Sequence, residues 1–142
     1  MSRTRIALFG LGRIGQIHLE NIIINPGYEL AYLCDAIKDH AESIKEKYGL
    51  RCTVLGLDEF DQVFNDATID GVIIGTPTDT HEALCIRALE ANKHVLCEKP
   101  LAMTIKSSIR VINLAKERGL ILLVAFNRYC KVSEIYEIKA LI

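Results

Sequence analysis

Three closely spaced glycines near the amino end give the first chemical pointer: Gly10-Leu11-Gly12-Arg13-Ile14-Gly15 satisfies G-x-G-x-x-G. The bare pattern is common by chance, so its setting decides. It directly follows the apolar run Arg5 to Phe9 and opens a segment of helical period. There Gly10 makes the tight turn, Gly12 lets the backbone approach a pyrophosphate, and Gly15 lets helix and strand pack closely. The free N–H groups and partial positive charge of the helix start then favour phosphate. Asp35 falls 20 residues after Gly15, at the end of the next apolar segment, where a carboxylate accepts hydrogen bonds from an adenosine ribose. With Leu11, Arg13 and Ile14 in the same loop, the expectation is a dinucleotide site. A carboxylate at Asp35 repels the 2′-phosphate of NADP, so NAD is the expected cofactor, with Lys38 leaving room for some NADP.

A second group of residues follows later strands. Gly75-Thr76-Pro77-Thr78-Asp79-Thr80-His81, Glu98-Lys99-Pro100 and Phe126-Asn127-Arg128 each come directly after an apolar run. In open α/β sheets, ligands sit outside the carboxyl ends of the strands, so all three segments are expected to face the cofactor. Taken one at a time, each also reads as a turn with a helix cap or as a solvated strand end.

These residues need a scaffold, and the chain alternates short β-rich runs with longer helical segments. Arg5 to Phe9 reads as a strand. Arg13 to Asn25 reads as a helix with Ile14, Ile17, Ile22 and Ile24 largely on one side, ended by Pro26-Gly27. A strand over Tyr28 to Cys34, a helix over Lys38 to Tyr48 closed by Gly49, and a short strand over Cys52 to Leu55 follow. Asp58 is placed to cap a brief helix through Phe64. Asp70 to Gly75 carries Val72, Ile73 and Ile74 without alternation, as a central strand covered on both faces would. Thr80 to Glu90 and Thr104 to Arg118 read as helices, and His94 to Cys97 and Leu120 to Ala125 as strands. The expected fold is α/β, a Rossmann-type doubly wound parallel sheet of six strands in the order 3-2-1-4-5-6, since right-handed crossovers place helices above and below.

Together the motifs resemble the family of oxidoreductases typified by glucose-fructose oxidoreductase and myo-inositol 2-dehydrogenase, the Gfo/Idh/MocA family. G-x-G-R-I-G with Asp35, T-P-T-x-T-H over Thr76 to His81, E-K-P over Glu98 to Pro100 and F-N-R over Phe126 to Arg128 stand in the family's order and approximate spacing. The wording is most similar to the inositol dehydrogenase branch. The resemblance implies an NAD(P)-binding domain over residues 1–128, with residues 129–142 beginning a second domain whose remainder this sequence lacks. It also implies that Lys99 is the lysine beside the nicotinamide and the substrate hydroxyl. Lysine suits that role because partial burial tunes its ammonium toward the working range. Thr76, Pro77, Thr78, His81 and Glu98 are implied on the cofactor side, and Asn127 and Arg128 at the substrate end. Family members usually read F-N-R-R, whereas Arg128 is followed here by Tyr129. In the family, the second domain supplies the acid and histidine of the proton relay and most of the polyol or sugar pocket.

Composition is that of an ordinary globular domain, and its charge balance points to a small substrate. The 142 residues are 50% apolar and 25% charged, with 17 basic against 18 acidic side chains and no block of like charge, so neither nucleic acid nor an anionic membrane is an expected partner. Leu120 to Phe126, the longest apolar run, is far short of the roughly 20 residues that cross a bilayer. Met1 to Arg5 followed by Ile6 to Gly12 imitates a signal peptide, but Arg13 interrupts the apolar stretch and no small-residue cleavage site follows. Five cysteines, an odd number without a C-x-x-C pair, speak against a disulfide framework and a metal site, and suit the cytoplasm. His18, His40 and His94 read as polar-face residues. Ser133 to Ile142 carries Ile135, Ile138 and Ile142 at helical spacing, a stripe that favours self-association as a homo-oligomer or cover by another domain. Three functions stay open: a polyol or sugar dehydrogenase or a piece of one, a non-catalytic nucleotide-binding or partner-binding module, and catalysis in complex with a separately encoded second domain.

Overall fold

The structure is a computed structural model and describes residues 3–126. The expected residues Asn127 and Arg128, the stripe of Ile135, Ile138 and Ile142, and the boundary at residue 128 lie outside the described residues. Six strands, β1 (Thr4–Phe9), β2 (Tyr28–Cys34), β3 (Thr53–Leu55), β4 (Gly71–Ile74), β5 (His94–Glu98) and β6 (Leu122–Ala125), form one sheet in the order β3-β2-β1-β4-β5-β6. Every pairing is parallel. The helices between them are α1 (Arg13–Ile24), α2 (Lys38–Tyr48), α3 (Asp61–Asn65), α4 (Thr78–Glu90) and α5 (Ile105–Arg118).

The two-residue period of a strand divides the core. Ile6 and Leu8 of β1 join Leu19 and Ile22 of α1 and Ala41 and Ile44 of α2. Ala7 and Phe9 of the same strand join Val63 of α3, Leu84 and Ala88 of α4, and Val111 and Ala115 of α5. Side chains alternating along β1 therefore hold helices on both faces, and the carboxyl ends of β1, β2, β4 and β5 come to one edge of the sheet.

Several local expectations are corrected. Ile17 and Ile24 are not on the buried side of α1; they are 46% and 77% exposed, and Leu19 fills that face with Ile22. The helix stops at Ile24 because Asn25 precedes a proline and is pushed to extended backbone, φ −95° and ψ 111°. Asp58 caps no helix. A 3-10 turn over Leu57–Glu59 intervenes, and the Glu59 carboxylate accepts the Gly56 N–H instead. α4 begins at Thr78, two residues before the expected start, with Pro77 as its cap residue. Among the described residues, strand β4 is covered fully on one face only. Val72 and Ile74 are buried, while Ile73 borders an open apolar cleft of about 580 Å³ with Ile6, Ile22, Leu96 and Leu123. That cleft is lined by no residue of the glycine loop. Gly49 closes α2 with φ of 62°, as expected, and Gly119 closes α5 in the same way with φ of 64°.

Candidate functional site

The glycine loop sits between the ends of β1 and β4, and its three glycines have different reasons. Gly10 has φ +84°, and a Cβ there would lie 2.7 Å from the Gly75 carbonyl oxygen. A Cβ on Gly15 would lie 1.9 Å from the Gly10 carbonyl oxygen. Both are demands of packing. A Cβ on Gly12 would meet nothing within 4 Å, so the protein leaves open space at the residue that caps α1. Among the described residues, no side-chain hydrogen bond caps that helix, so the amides of its first turn are open to an anion. This is the cradle a pyrophosphate requires.

Asp35, directly after β2, is the residue expected to face a ribose, and it also holds two backbone amides. Its Oδ2 accepts the Leu11 N–H at 2.8 Å and its Oδ1 accepts the Ile37 N–H at 2.9 Å. A carboxylate has about four lone-pair sites, so two remain for ribose hydroxyls. Leu11 itself is fully buried; its carbonyl oxygen accepts from Gln16 Nε2 at 3.1 Å and lies 3.2 Å from His40 Nε2. Its place in the site is thus that of an anchor for the loop, while Gly12 and Arg13 are exposed and Ile14 is half-buried.

The loops after β4 and β5 are joined by His81. This residue is buried, with Nδ1 2.8 Å from the Pro100 carbonyl oxygen and Nε2 2.9 Å from the Thr76 carbonyl oxygen. A carbonyl only accepts, and a neutral imidazole donates from one nitrogen, so the geometry suits the doubly protonated ring. Burial works against that charge, but the neighbouring Cys97 sulfur and the two accepting carbonyls outweigh it, lifting the pKa from 6.5 to about 9. His81 therefore clamps one loop to the other, with neither ring nitrogen turned toward the crevice. Thr80, a letter of the T-P-T-x-T-H motif with no role assigned from the sequence, has its hydroxyl 2.7 Å from both the Thr76 hydroxyl and the Pro77 carbonyl oxygen. Thr76 and Thr78 are half-buried and Pro77 is exposed at the crevice rim.

Glu98 turns inward. Its Oε1 lies 2.7 Å from His18 Nε2, both side chains being largely buried, and its Oε2 accepts the Lys99 N–H at 3.3 Å. His18 thereby ties α1 to the loop that carries Lys99, a role its place on a helix face did not foretell. Lys99 is exposed rather than partly buried, and the Lys99-Pro100 bond is cis. Cys34, Cys52, Cys85 and Cys97 are buried free thiols, and Cys130 lies outside the described residues. Among the described residues, no helix is long and apolar enough to cross a membrane.

Residues 4–126 match the profile of the Gfo/Idh/MocA family, described as oxidoreductases with an NAD-binding Rossmann fold. The chain belongs to this family. The matched residues are the family's NAD-binding domain, and the open cradle at Gly12 with Asp35 beside it fits that cofactor. Myo-inositol 2-dehydrogenase of Thermotoga maritima is 36% identical over 124 residues, which are 87% of this chain and 36% of that protein. The NAD(+)-dependent scyllo-inositol 2-dehydrogenase of Bacillus subtilis is 35% identical over 127 residues, 89% of this chain and 36% of that protein. Among solved structures, scyllo-inositol dehydrogenase of Lactobacillus casei with bound NAD(H) and scyllo-inositol superposes with a TM-score of 0.85 at 26% identity, covering 99% of this chain and 41% of that one. The chain thus spans little more than a third of the length of these curated relatives.

Proposed function

We propose that this chain is the cofactor half of an NAD-dependent dehydrogenase of inositol, other polyols or sugars. In this reading a secondary alcohol carbon gives its hydride to the nicotinamide while the hydroxyl proton passes to a base. The observation that carries it is the open space at Gly12 over an uncapped helix start, with the Asp35 carboxylate beside the same loop. The inositol dehydrogenase relatives named above supply the substrate class. Lys99, exposed next to the Glu98 anchor, is assigned to the reacting oxygen, which its ammonium would polarise. Thr76, Pro77, Thr78 and Glu98 are assigned to the cofactor crevice, with Asn127 and Arg128 at its substrate end.

A base must come within about 3 Å of the hydroxyl proton. Among the described residues, both candidates that the motifs supply are engaged elsewhere: Glu98 is held by His18, and His81 is held between two carbonyls. The expected result is therefore NAD binding by calorimetry and little or no NADH formation, followed at 340 nm, with a panel of polyols and sugars. Robust turnover that disappears in Lys99→Ala would show instead that these 142 residues suffice. The reading also places the chain in the cytoplasm, in keeping with its buried free thiols. Self-association belongs to it too, with Ile121 and Leu123 57% and 58% exposed at the β6 edge, and sedimentation measures it.

A further inference from the structure

Lys38, the first residue of α2, stands three positions after Asp35, where a cation would ordinarily help hold a 2′-phosphate. Its ammonium is not free to do so. Nζ lies 2.6 Å from Oε2 of Glu59, and the same oxygen accepts the Gly56 N–H at 2.9 Å. The aliphatic stem lies over Gly56, where an added Cβ would come within 3.4 Å of Lys38 Cβ and 3.5 Å of its Cδ. Stem and tip are thus both fixed on the turn after β3, and the backbone N–H of that turn fixes the carboxylate that holds the tip.

We propose that Glu59 is a cofactor-specificity residue that acts through Lys38: it withholds the Lys38 ammonium from a 2′-phosphate. The proposal rests on the NAD reading above and deepens it. Its physical basis is a difference between two ligands. NAD presents hydroxyls at this point and needs no cation. NADP adds about 1.5 to 2 negative charges there, which must find a partner or face carboxylates, as phosphate groups in general do at neutral pH. The Lys38 ammonium and the Gly56 N–H hold Glu59 below the usual carboxylate range, so it is ionised at neutral pH.

Glu59→Gln removes the charge while keeping an oxygen that can accept the Gly56 N–H, so the turn after β3 is preserved. The 142-residue chain, Glu59→Gln, Lys38→Ala and the double variant would each be titrated with NAD and NADP by calorimetry at moderate salt. Because the pair is partly exposed, the expected gain is modest: Glu59→Gln lowers the ratio of the NADP Kd to the NAD Kd by about three- to tenfold. That gain should largely vanish when Lys38→Ala is added. An unchanged ratio in Glu59→Gln, with NAD still bound, overturns the proposal alone. So does an equal gain with and without Lys38, since Glu59 would then act only by its own charge. Failure of the unsubstituted chain to bind NAD overturns the cofactor reading and this proposal with it.

Discussion

Gly12→Val isolates the phosphate cradle because the protein itself offers no objection to the new side chain. Gly12 has φ −63° and ψ −172°, extended backbone that valine adopts, and its Cβ would meet no atom within 4 Å. Valine is a poorer helix cap than glycine, at a cost of about 1 kcal/mol or less, and a reduced unfolded-state entropy offsets roughly 0.4–1 kcal/mol of it. The melting temperature should therefore move by only a few degrees, roughly. Gly15→Ala is the counter-example, since its Cβ would lie 1.9 Å from the Gly10 carbonyl oxygen and the loop would have to open.

The ligand, by contrast, loses its seat. A pyrophosphate at the start of α1 would accept at least two charge-assisted hydrogen bonds from backbone N–H groups, each worth about 1.5–3 kcal/mol. Losing both costs about 3–6 kcal/mol, which is two to four orders of magnitude in Kd. The assay is calorimetric titration with NAD, with thermal unfolding of the same sample as the control for folding. A well-folded Gly12→Val chain that binds NAD within about threefold of the unsubstituted protein would falsify the assignment of the pyrophosphate to this loop.

Two other substitutions probe the residues around the cradle. Asp35→Ser should relax the preference for NAD over NADP and, by leaving the part-buried Leu11 N–H without its carboxylate, lower stability by about 1–2 kcal/mol in urea unfolding; tighter binding of NADP than NAD by the unsubstituted chain would contradict it. The folded pKa of His81, about 9, lies above its ordinary 6.5, so the stability from its charged ring is fully present below pH 6.5 and is lost as pH rises through about 9. Melting temperatures measured across that window should fall more steeply for the unsubstituted chain than for His81→Gln, and parallel slopes would remove the charge from the clamp.

The order of the sheet and the glycine loop were legible because the information is local. Gly10, Gly12 and Gly15 stand within six residues, and a run such as Val72-Ile73-Ile74 announces a strand without reference to the rest of the chain. What was not legible depends on contacts between distant segments. His18 and Glu98 are 80 residues apart, so the histidine reads as a polar-face residue until the fold sets α1 beside the end of β5. The misreading of Ile17 and Ile24 has a related origin. A helix on a doubly wound sheet buries a narrow stripe, here Gly15, Leu19 and Ile22, and a count of isoleucines does not single it out. Glu59 was overlooked for the neighbouring Asp58 because both suit a helix start, and only the turn geometry at Gly56 chooses between them.

The same contrast explains how the crevice is held. Its rim is made of turns whose backbone does not pair in the sheet, so side chains from other elements must fix it. Asp35 holds the Leu11 amide, His18 holds Glu98, and His81 holds the Thr76 and Pro100 carbonyls. These contacts join the ends of β1, β2, β4 and β5 through polar groups that are wholly or partly buried, and partial satisfaction of such groups is costly. Removing one member should therefore move more than its own loop: losing His81 releases the Thr76 loop and the Lys99 loop together, although the ring directs neither nitrogen at the cofactor. The residues that shape this site are consequently of two kinds. Those assigned to the ligand are readable as motifs, whereas those that position them are recognisable only once the chain has folded.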